Sequence, residues 1–533
     1  MDIAQEIENS VICRQQVLRK TTAFGDSNIQ KFYEGSSVLV TGGSGFIGKL
    51  VIEKLLRACS PKNIYILIRT KKNKNVQQRI QEVFEDPVFG LLHQEKPNFI
   101  TKVVAIEGDI NKERLGISEN DWNIIANEVD IIFHMAANIR FDTSLKDALI
   151  SNVRGTRETL NLGRVCKKLR AFVYVSTAYS HATNDRIGRI VPEQFQKLQL
   201  NPEIMIKLAE TLSNEQLEGM TTFFTDGWPN TYTYTKAIAE ETVRTIKSDM
   251  PVCIVRPAIV IPPITEPAPG WIDMKSVYGP SGMFLGVGMG LTNVVFARLE
   301  NTMSFVPAHL VTNAIIAAGW ETGRKIDVHG NSKIYTVSNI RNPITWGELG
   351  VIIKRNRQEL TTPRALWCAG VLETNSPFLF WILSWLFHFI PAYIVDGICF
   401  LIRKERRFVK LYSKMYKLQH VLSYFTRHDW LFDDTNLKKL FENMSTTDQL
   451  IFNFDVKTIN WTEAVIIWWI GIRKYIIKDG LKGTKKGNLK QNVFLVLNYL
   501  LVLLYAYVIL NLLWYCFLAI GYVIGPIIKY ILL

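Results

Sequence analysis

Val38-Leu39-Val40-Thr41-Gly42-Gly43-Ser44-Gly45-Phe46-Ile47-Gly48 is the stretch that decides the fold. Val38 to Val40 is a short apolar run closed by glycine, which reads as a buried strand. Ile47, Leu50, Val51, Leu55 and Leu56 then recur at helical spacing. The stretch therefore predicts strand, tight turn, helix. Its glycines satisfy G-x-G-x-x-G at Gly43, Gly45 and Gly48, and G-x-x-G-x-x-G at Gly42, Gly45 and Gly48. A missing Cβ lets the backbone turn, approach a pyrophosphate and seat helix on strand. The N–H groups at the helix start would then hold phosphate. Thr41, Gly42, Gly43, Ser44, Gly45, Phe46, Ile47 and Gly48 are thus candidate dinucleotide-binding residues. The competing reading is a glycine turn with a purely structural role.

Working outward, the next strand is Ile64-Tyr65-Ile66-Leu67-Ile68. An acid at its end would bind the ribose 2′-hydroxyl of NAD. Arg69, Lys71 and Lys72 stand there instead, which suits the 2′-phosphate of NADPH. A solvated basic loop explains the lysines but not the missing acid. A third strand, Lys102 to Ile106, ends in Gly108-Asp109, where Asp109 either accepts from the adenine or caps a turn. A fourth, Asp130 to His134, runs into Met135-Ala136-Ala137-Asn138. Ala136 and Ala137 are small enough for backbone to lie against a cofactor, whereas His134 reads as a packed polar residue. The fifth strand, Ala171 to Val175, closes on Ser176-Thr177. Apolar strands alternating with helices predict an α/β, doubly wound parallel sheet of Rossmann-like type.

Tyr232 and Lys236 follow an insertion at about 180–228. They are four residues apart, so on a helix they share a face. An ammonium beside a phenol favours phenolate and lowers its pKa. The phenol then serves as a general acid near neutral pH. Tyr-x-x-x-Lys alone is common, but after a nucleotide turn and a strand ending Ser-Thr it becomes specific. Thr177, Tyr232 and Lys236 are the candidate catalytic set. No metal site and no nucleophilic cysteine is read: the 7 cysteines lie far apart, with no C-x-x-C pair.

The chain has 533 residues, enough for two or three units. Its net charge of +14 suggests an acidic partner such as a phosphorylated small molecule or an anionic membrane surface. No basic-aromatic motif points to nucleic acid. Met1 to Lys20 lacks the apolar core of a secretory signal.

With these motifs in place, the chain resembles an extended short-chain dehydrogenase/reductase. One branch, the fatty acyl-CoA reductases, is matched by Val175-Ser176-Thr177-Ala178-Tyr179, by Pro229 to Lys236, and by Val255-Arg256-Pro257. Glu266-Pro267-x-Pro269-Gly270-Trp271-Ile272-Asp273, Asn342-Pro343-Ile344-Thr345-Trp346 and Gly471-Ile472-Arg473-Lys474-Tyr475 fit it as well. The resemblance implies NADPH-dependent reduction of a long-chain acyl-CoA to a primary alcohol, at a membrane of the endoplasmic reticulum or peroxisome. After Val306-Pro307 the family usually has valine and aspartate, but Ala308-His309 stand here. The rival readings are a hydroxysteroid or sterol dehydrogenase, and a non-catalytic nucleotide-binding scaffold.

The expected organisation is a polar lead-in at 1–35, a reductase domain at 36–345, a C-terminal reductase-family domain at 363–480 and a membrane anchor at 493–533. Ser376 to Ile402 is apolar but interrupted by His388, Pro391 and Asp396, and is followed by Arg403, Lys404, Arg406 and Arg407. It reads as interfacial, channel-lining or spanning. Val493 to Ile528 has no charged residue and exceeds the roughly 20 residues a bilayer core needs. One span followed by an apolar tail, or a two-span hairpin near Asn511, both fit. Lys482, Lys485, Lys486 and Lys490 precede the run, so the positive-inside rule predicts that residues 1–490 face the cytosol.

Overall fold

The computed structural model describes all residues except 1, 24–25, 72–73, 197, 199, 247–249, 275–276, 278, 325–331 and 532–533, and the side chains of 16–25, 521 and 523–531. Lys72 therefore lies outside the described residues. Seven parallel strands form the central sheet: β1 (Ser37–Thr41), β2 (Asn63–Ile68), β3 (Val103–Glu107), β4 (Ile131–His134), β5 (Ala171–Val175), β6 (Val252–Pro257) and β7 (Ile334–Val337). Their spatial order is β7-β6-β5-β4-β1-β2-β3. The order reverses at β1, whose neighbours are β2 and β4. Ligands of such sheets bind beyond the strand C-termini at that switch point. β1, β5 and β6 are buried along their whole length. Helices cover both faces, so these strands read as continuous apolar runs without alternation.

Helix α1 (Phe46–Ala58) follows the glycine turn. Leu50, Val51, Ile52 and Leu55 on it are buried against the sheet, at about 1.5–3 kcal/mol for each side chain. Helix α2 (Thr231–Ile246) holds the Tyr-x-x-x-Lys pair, and α3 (Ala308–Arg324) packs on α1 and β5. The C-terminal region is helical: α4 (Phe408–Thr426), α5 (Trp461–Gly471) and α6 (Thr484–Ile531). Between β7 and α4 lies an apolar helical segment, Pro377–Ser384, Trp385–Phe389 and Ile390–Leu401, whose middle turn widens to π geometry.

The C-terminal region is stitched into the reductase domain and does not stand apart from it. Ile190–Val191 pairs with Leu431–Phe432, and Val294–Phe296 with Leu372–Thr374. Arg341 bridges Asp434 and Asp455, each at 2.7 Å. The Trp461 indole donates to the Asn342 carbonyl at 3.1 Å. Asp455 and Trp461 thus act as packing residues. The polar lead-in is also structured. A helix spans Ile3–Ala23. The Asp2 carboxylate accepts from the Thr484 amide at 3.0 Å, and Glu8 and Arg14 pair with Lys474 and Glu463.

The 266–273 motif clamps α1. Lys54 and Arg57 bind the Glu266 carboxylate, and Arg57 also binds Glu53 at 2.6 Å. Burial would raise the Glu266 pKa, but the two cations outweigh it and hold it at about 2. Lys49 reaches Asp86 at 2.6 Å and Asp273 at 3.1 Å, and Trp271 donates to Asp86 at 2.9 Å while stacking on Phe46. His309 lines this cluster. Burial pushes its pKa down to about 4, so it sits there neutral. Lys54 and Arg57 are then balanced by Glu53 and Glu266 without it. At the other end of the motif Gly270, at φ +67°, lies against α5, where a Cβ on Gly471 would come 1.8 Å from the Gly270 carbonyl oxygen.

Candidate active site

The nucleotide turn sits at the switch point between β1 and β4. Gly42 has φ +77°, and a Cβ there would lie 2.7 Å from the Ala136 nitrogen. A Cβ on Gly43 would strike Ile66 and Ile52, and one on Gly48 would lie 2.2 Å from the Gly42 carbonyl. Both glycine patterns are therefore used: one residue turns the chain, and the others let helix and turn close up. Gly45 is the N-cap of α1 and has no side chain to satisfy its first N–H groups. Ser44, Phe46 and Ile47 are half-buried beside it and Gly45 is exposed. An uncapped helix start on a glycine cradle fits a pyrophosphate.

Thr41 and His134 tie the turn to β4. The Thr41 hydroxyl and His134 Nδ1 are 2.8 Å apart, and His134 Nε2 lies 3.0 Å from the Thr156 hydroxyl. Thr156 spends its own proton on the Asn152 carbonyl, so it accepts from an Nε2–H tautomer. Nδ1 then accepts from Thr41, whose oxygen in turn receives the Met135 and Ala136 amides at 3.2 and 3.3 Å. Burial, reinforced by Lys236, pushes the His134 pKa down to about 3. His134 is a neutral strut that fixes Ala136, with Ala137 half-buried after it.

Arg69 is exposed directly after β2, and the Arg79 guanidinium donates to its carbonyl. Arg79 brings a second guanidinium to the place where the sequence showed Arg69 and two lysines. Asp109 caps its own turn, accepting from the Asn111 amide at 2.9 Å.

Thr177, Tyr232 and Lys236 come together beyond β5. The Thr177 side chain stands beside the Tyr232 phenol, while its hydroxyl donates to the Pro257 carbonyl at 3.5 Å and accepts from the Tyr179 amide at 3.3 Å. Lys236 donates to the Val175 carbonyl at 2.8 Å and the Tyr174 hydroxyl at 3.3 Å, with its Nζ 4.8 Å from the Tyr174 ring centroid. The expectation of a phenol poised near neutrality is corrected here. Burial raises Tyr232 to about 12, against Thr177, and burial lowers Lys236 to about 7, against Glu240. Both groups are shut off from water, so desolvation of the charged form outweighs Thr177 at Tyr232 and Glu240 at Lys236.

Two supports were not legible in the sequence. Asn152 lies in a π turn (Leu149–Arg154); it accepts from the Asn138 amide at 2.8 Å and donates to Thr235 on α2 at 3.0 Å. Glu240, one turn beyond Lys236, accepts from Ser176 (2.6 Å), Ser180 (2.9 Å) and Arg256. Burial would raise Glu240, but Arg256 and His181 outweigh it and hold the carboxyl ionised. This buried pair fixes the loop that presents Thr177. Phe141 lies over Tyr232 at 5.9 Å, and Phe425 from the end of α4 stacks on Phe141 at 5.7 Å.

Comparison with known proteins bears on the family and the fold. The family described as male sterility protein matches at residues 40–315, its NAD-binding part, and at 387–479. The fatty acyl-CoA reductase wat of Drosophila melanogaster is 36% identical, covering 85% of this chain and 86% of its own. Fatty acyl-CoA reductase 1 of Homo sapiens is 32% identical, covering 90% and 92%. Among solved structures, the terminal R domain of the myxalamid biosynthetic pathway shares the fold at TM-score 0.55 and 18% identity, covering 84% of this chain and 92% of its own. The reductase domain of a non-ribosomal peptide synthetase from Mycobacterium tuberculosis does so at 0.53 and 17%, covering 90% and 99%. The NAD(P)-binding sheet, the clamp on α1 and matches that run through both regions lead to one conclusion: this chain belongs to the fatty acyl-CoA reductase family.

Proposed function

We propose that the protein reduces long-chain fatty acyl-CoA to the primary alcohol, releasing CoA, with two NADPH consumed per thioester. The observation that supports this most directly is that Thr177 stands beside Tyr232, with Lys236 buried one turn along the same helix and bonded to the Val175 carbonyl, near an uncapped nucleotide turn. The cofactor supplies hydride. Thr41 to Gly48 hold its pyrophosphate, Ala136 and Ala137 leave room for it, and Asp109 shapes the turn at the end of β3. Thr177 and Tyr232 donate to the oxygen that becomes negative as the thioester carbonyl is reduced. Tyr232 delivers the proton, and Lys236 stabilises the phenolate left behind. The hemithioacetal then expels CoA thiolate and leaves an aldehyde, which a second hydride and proton convert to the alcohol. No cysteine or metal takes part in this route.

Incubation with NADPH and palmitoyl-CoA should release free thiol and hexadecanol in step. Reduction of a ketosteroid without thiol release would transfer the protein to the steroid dehydrogenases. NADPH is favoured over NADH by Arg69, with Arg79 beside it and no acid at the end of β2. Arg69→Ala should therefore weaken NADPH roughly ten- to a hundredfold, the equivalent of one charge-assisted hydrogen bond, and leave NADH unchanged. Equal constants before and after the change would take Arg69 out of cofactor selection.

We infer further that α6 anchors the protein in a membrane. It is one continuous helix of 48 residues, and the side chains of residues 512–520 are all exposed although apolar. A single continuous helix favours one span over a hairpin at Asn511. The lysines before it favour a cytosolic catalytic domain, at the endoplasmic reticulum or peroxisome.

A further inference from the structure

Residues 377–402 leave large apolar side chains uncovered: Phe378 is 71% exposed, Phe400 64% and Leu401 79%. Trp381, Tyr393, Ile394 and Ile398 add to the same surface. The polar residues that interrupt the run are turned to use within the protein. His388 Nε2 accepts from the Asn293 amide at 3.0 Å. Asp396 accepts from the amides of Arg407, Phe408 and Val409 at 2.9–3.1 Å, capping α4. The segment is thus amphipathic in function, although its sequence looks like a broken span.

Its neighbour is α6. The Tyr505 hydroxyl donates to the Leu386 carbonyl at 2.7 Å, and Phe387 meets the Tyr505 ring edge-on at 5.9 Å. Nearer the start of α6, Asn498 accepts from the Trp367 indole at 3.2 Å. Phe494, Asn498, Leu501 and Tyr505 are half-buried at spacings of four, three and four, so one face of α6 docks here, while residues 496–497, 499–500, 502–504 and 506–510 are exposed. Whatever apolar phase receives α6 at Tyr505 also meets 377–402.

A full crossing by 377–402 conflicts with its ends. Leu372–Thr374 before it pairs with Val294–Phe296. After it, α4 returns to the same strand, where Gln419 bonds to Val294 and Phe296. Crossing would carry Arg403, Lys404, Arg406 and Arg407 through the bilayer and force α4 back with Lys410, Lys414 and Lys417. We propose that 377–402 is embedded in the leaflet on the catalytic side, alongside α6, with the exposed Arg403–Arg407 corner on anionic lipid headgroups. This rests on the reading of α6 as a membrane anchor and is independent of the substrate. Exposed aromatic and aliphatic groups beside a cluster of basic residues are what such an interface requires.

The test uses the full chain in sealed microsomes, with Cys13, Cys399 and Cys516 changed to serine. A membrane-impermeant maleimide should label Lys404→Cys from outside and Leu401→Cys at least about tenfold more slowly, until detergent equalises them. Val508→Cys on α6 is the control. If Val508→Cys labels freely, the anchor reading fails and this inference with it. If Val508→Cys is protected but Leu401→Cys labels like Lys404→Cys, the segment stands in water and the inference alone is overturned. Labelling of Lys404→Cys only after permeabilisation would show a full crossing and overturn it too. In reconstituted vesicles, trypsin should cut at Arg403–Arg407 more slowly with phosphatidylserine than with phosphatidylcholine alone, and high salt should restore the rate. Equal rates would remove the headgroup contact. An enzyme inactive on acyl-CoA leaves all of these readouts unchanged, so the two readings fail separately.

Discussion

Lys236 shows how residue identity and residue state part company. Tyr-x-x-x-Lys was readable as a pair, but its protonation was not, because that depends on burial and on Tyr174, Val175 and Glu240. In the free protein Lys236 titrates near 7. A cofactor that favours the ammonium raises that value. Between the two pKa values the complex holds more protons than the free protein, so affinity for NADPH falls as pH rises above about 7, by up to tenfold per unit. Calorimetry at pH 8 in buffers of different ionisation enthalpy should show proton uptake on binding; identical heats after buffer correction would exclude Lys236 as the linked group. Tyr232→Phe removes the proton donor and keeps the ring against Phe141. Turnover should drop about 10²- to 10⁴-fold with NADPH binding retained, and near-normal turnover would remove Tyr232 from the mechanism. Asp109 marks the opposite limit. Its two readings were open from sequence, and what the structure shows is the turn it caps.

At the scale of elements, the strands and the nucleotide turn were legible because their signals are local: apolar runs, glycine spacing, helical periodicity. The 266–273 motif was recognisable only by resemblance. Its partners Glu53, Lys54 and Arg57 lie more than 200 residues earlier, and no local pattern announces them. The same holds for His309, which the structure places in that charge cluster. The lead-in is a helix because residues near 463–484 give it a surface to pack on, information absent from its own polar sequence. Gly471→Ala tests the backbone contact with Gly270. The added methyl meets backbone, which cannot rotate aside, so the cost is at least the ~1–3 kcal/mol of an overpacked core. Thermal unfolding should move to lower temperature and cofactor affinity should follow it down. An unchanged melting curve would mean that the two elements separate at little cost.

For the whole molecule, the long apolar helix α6 was legible from length and composition alone, whereas the contacts that join the reductase region to the C-terminal region were not. Two-residue and three-residue strand pairs between distant segments carry no sequence signal, yet they join the two regions. Truncation after Asn492 keeps the Gln491 contacts to Trp367 and Ala369 and removes the apolar remainder of α6. The shortened protein should keep its nucleotide fold and bind membranes more weakly, with residual flotation arising from 377–402. Protease added to sealed microsomes should digest the N-terminal domain of the full chain; complete protection would reverse the topology.

The Gly270–Gly471 contact also has a mechanical consequence. Two backbones that touch with no side chain between them have no layer that can slide, and a small rotation drives one carbonyl into the other chain. Domain motion by shear needs packed side chains that shift past each other. The glycine turn, α1, the 266–273 motif and α5 therefore move as one rigid piece. Any opening that admits a bulky thioester and lets an alcohol leave then falls to the other wall, where Phe141 and Phe425 meet over Tyr232 and the Tyr424 hydroxyl bond to the Ala182 carbonyl would have to part with them.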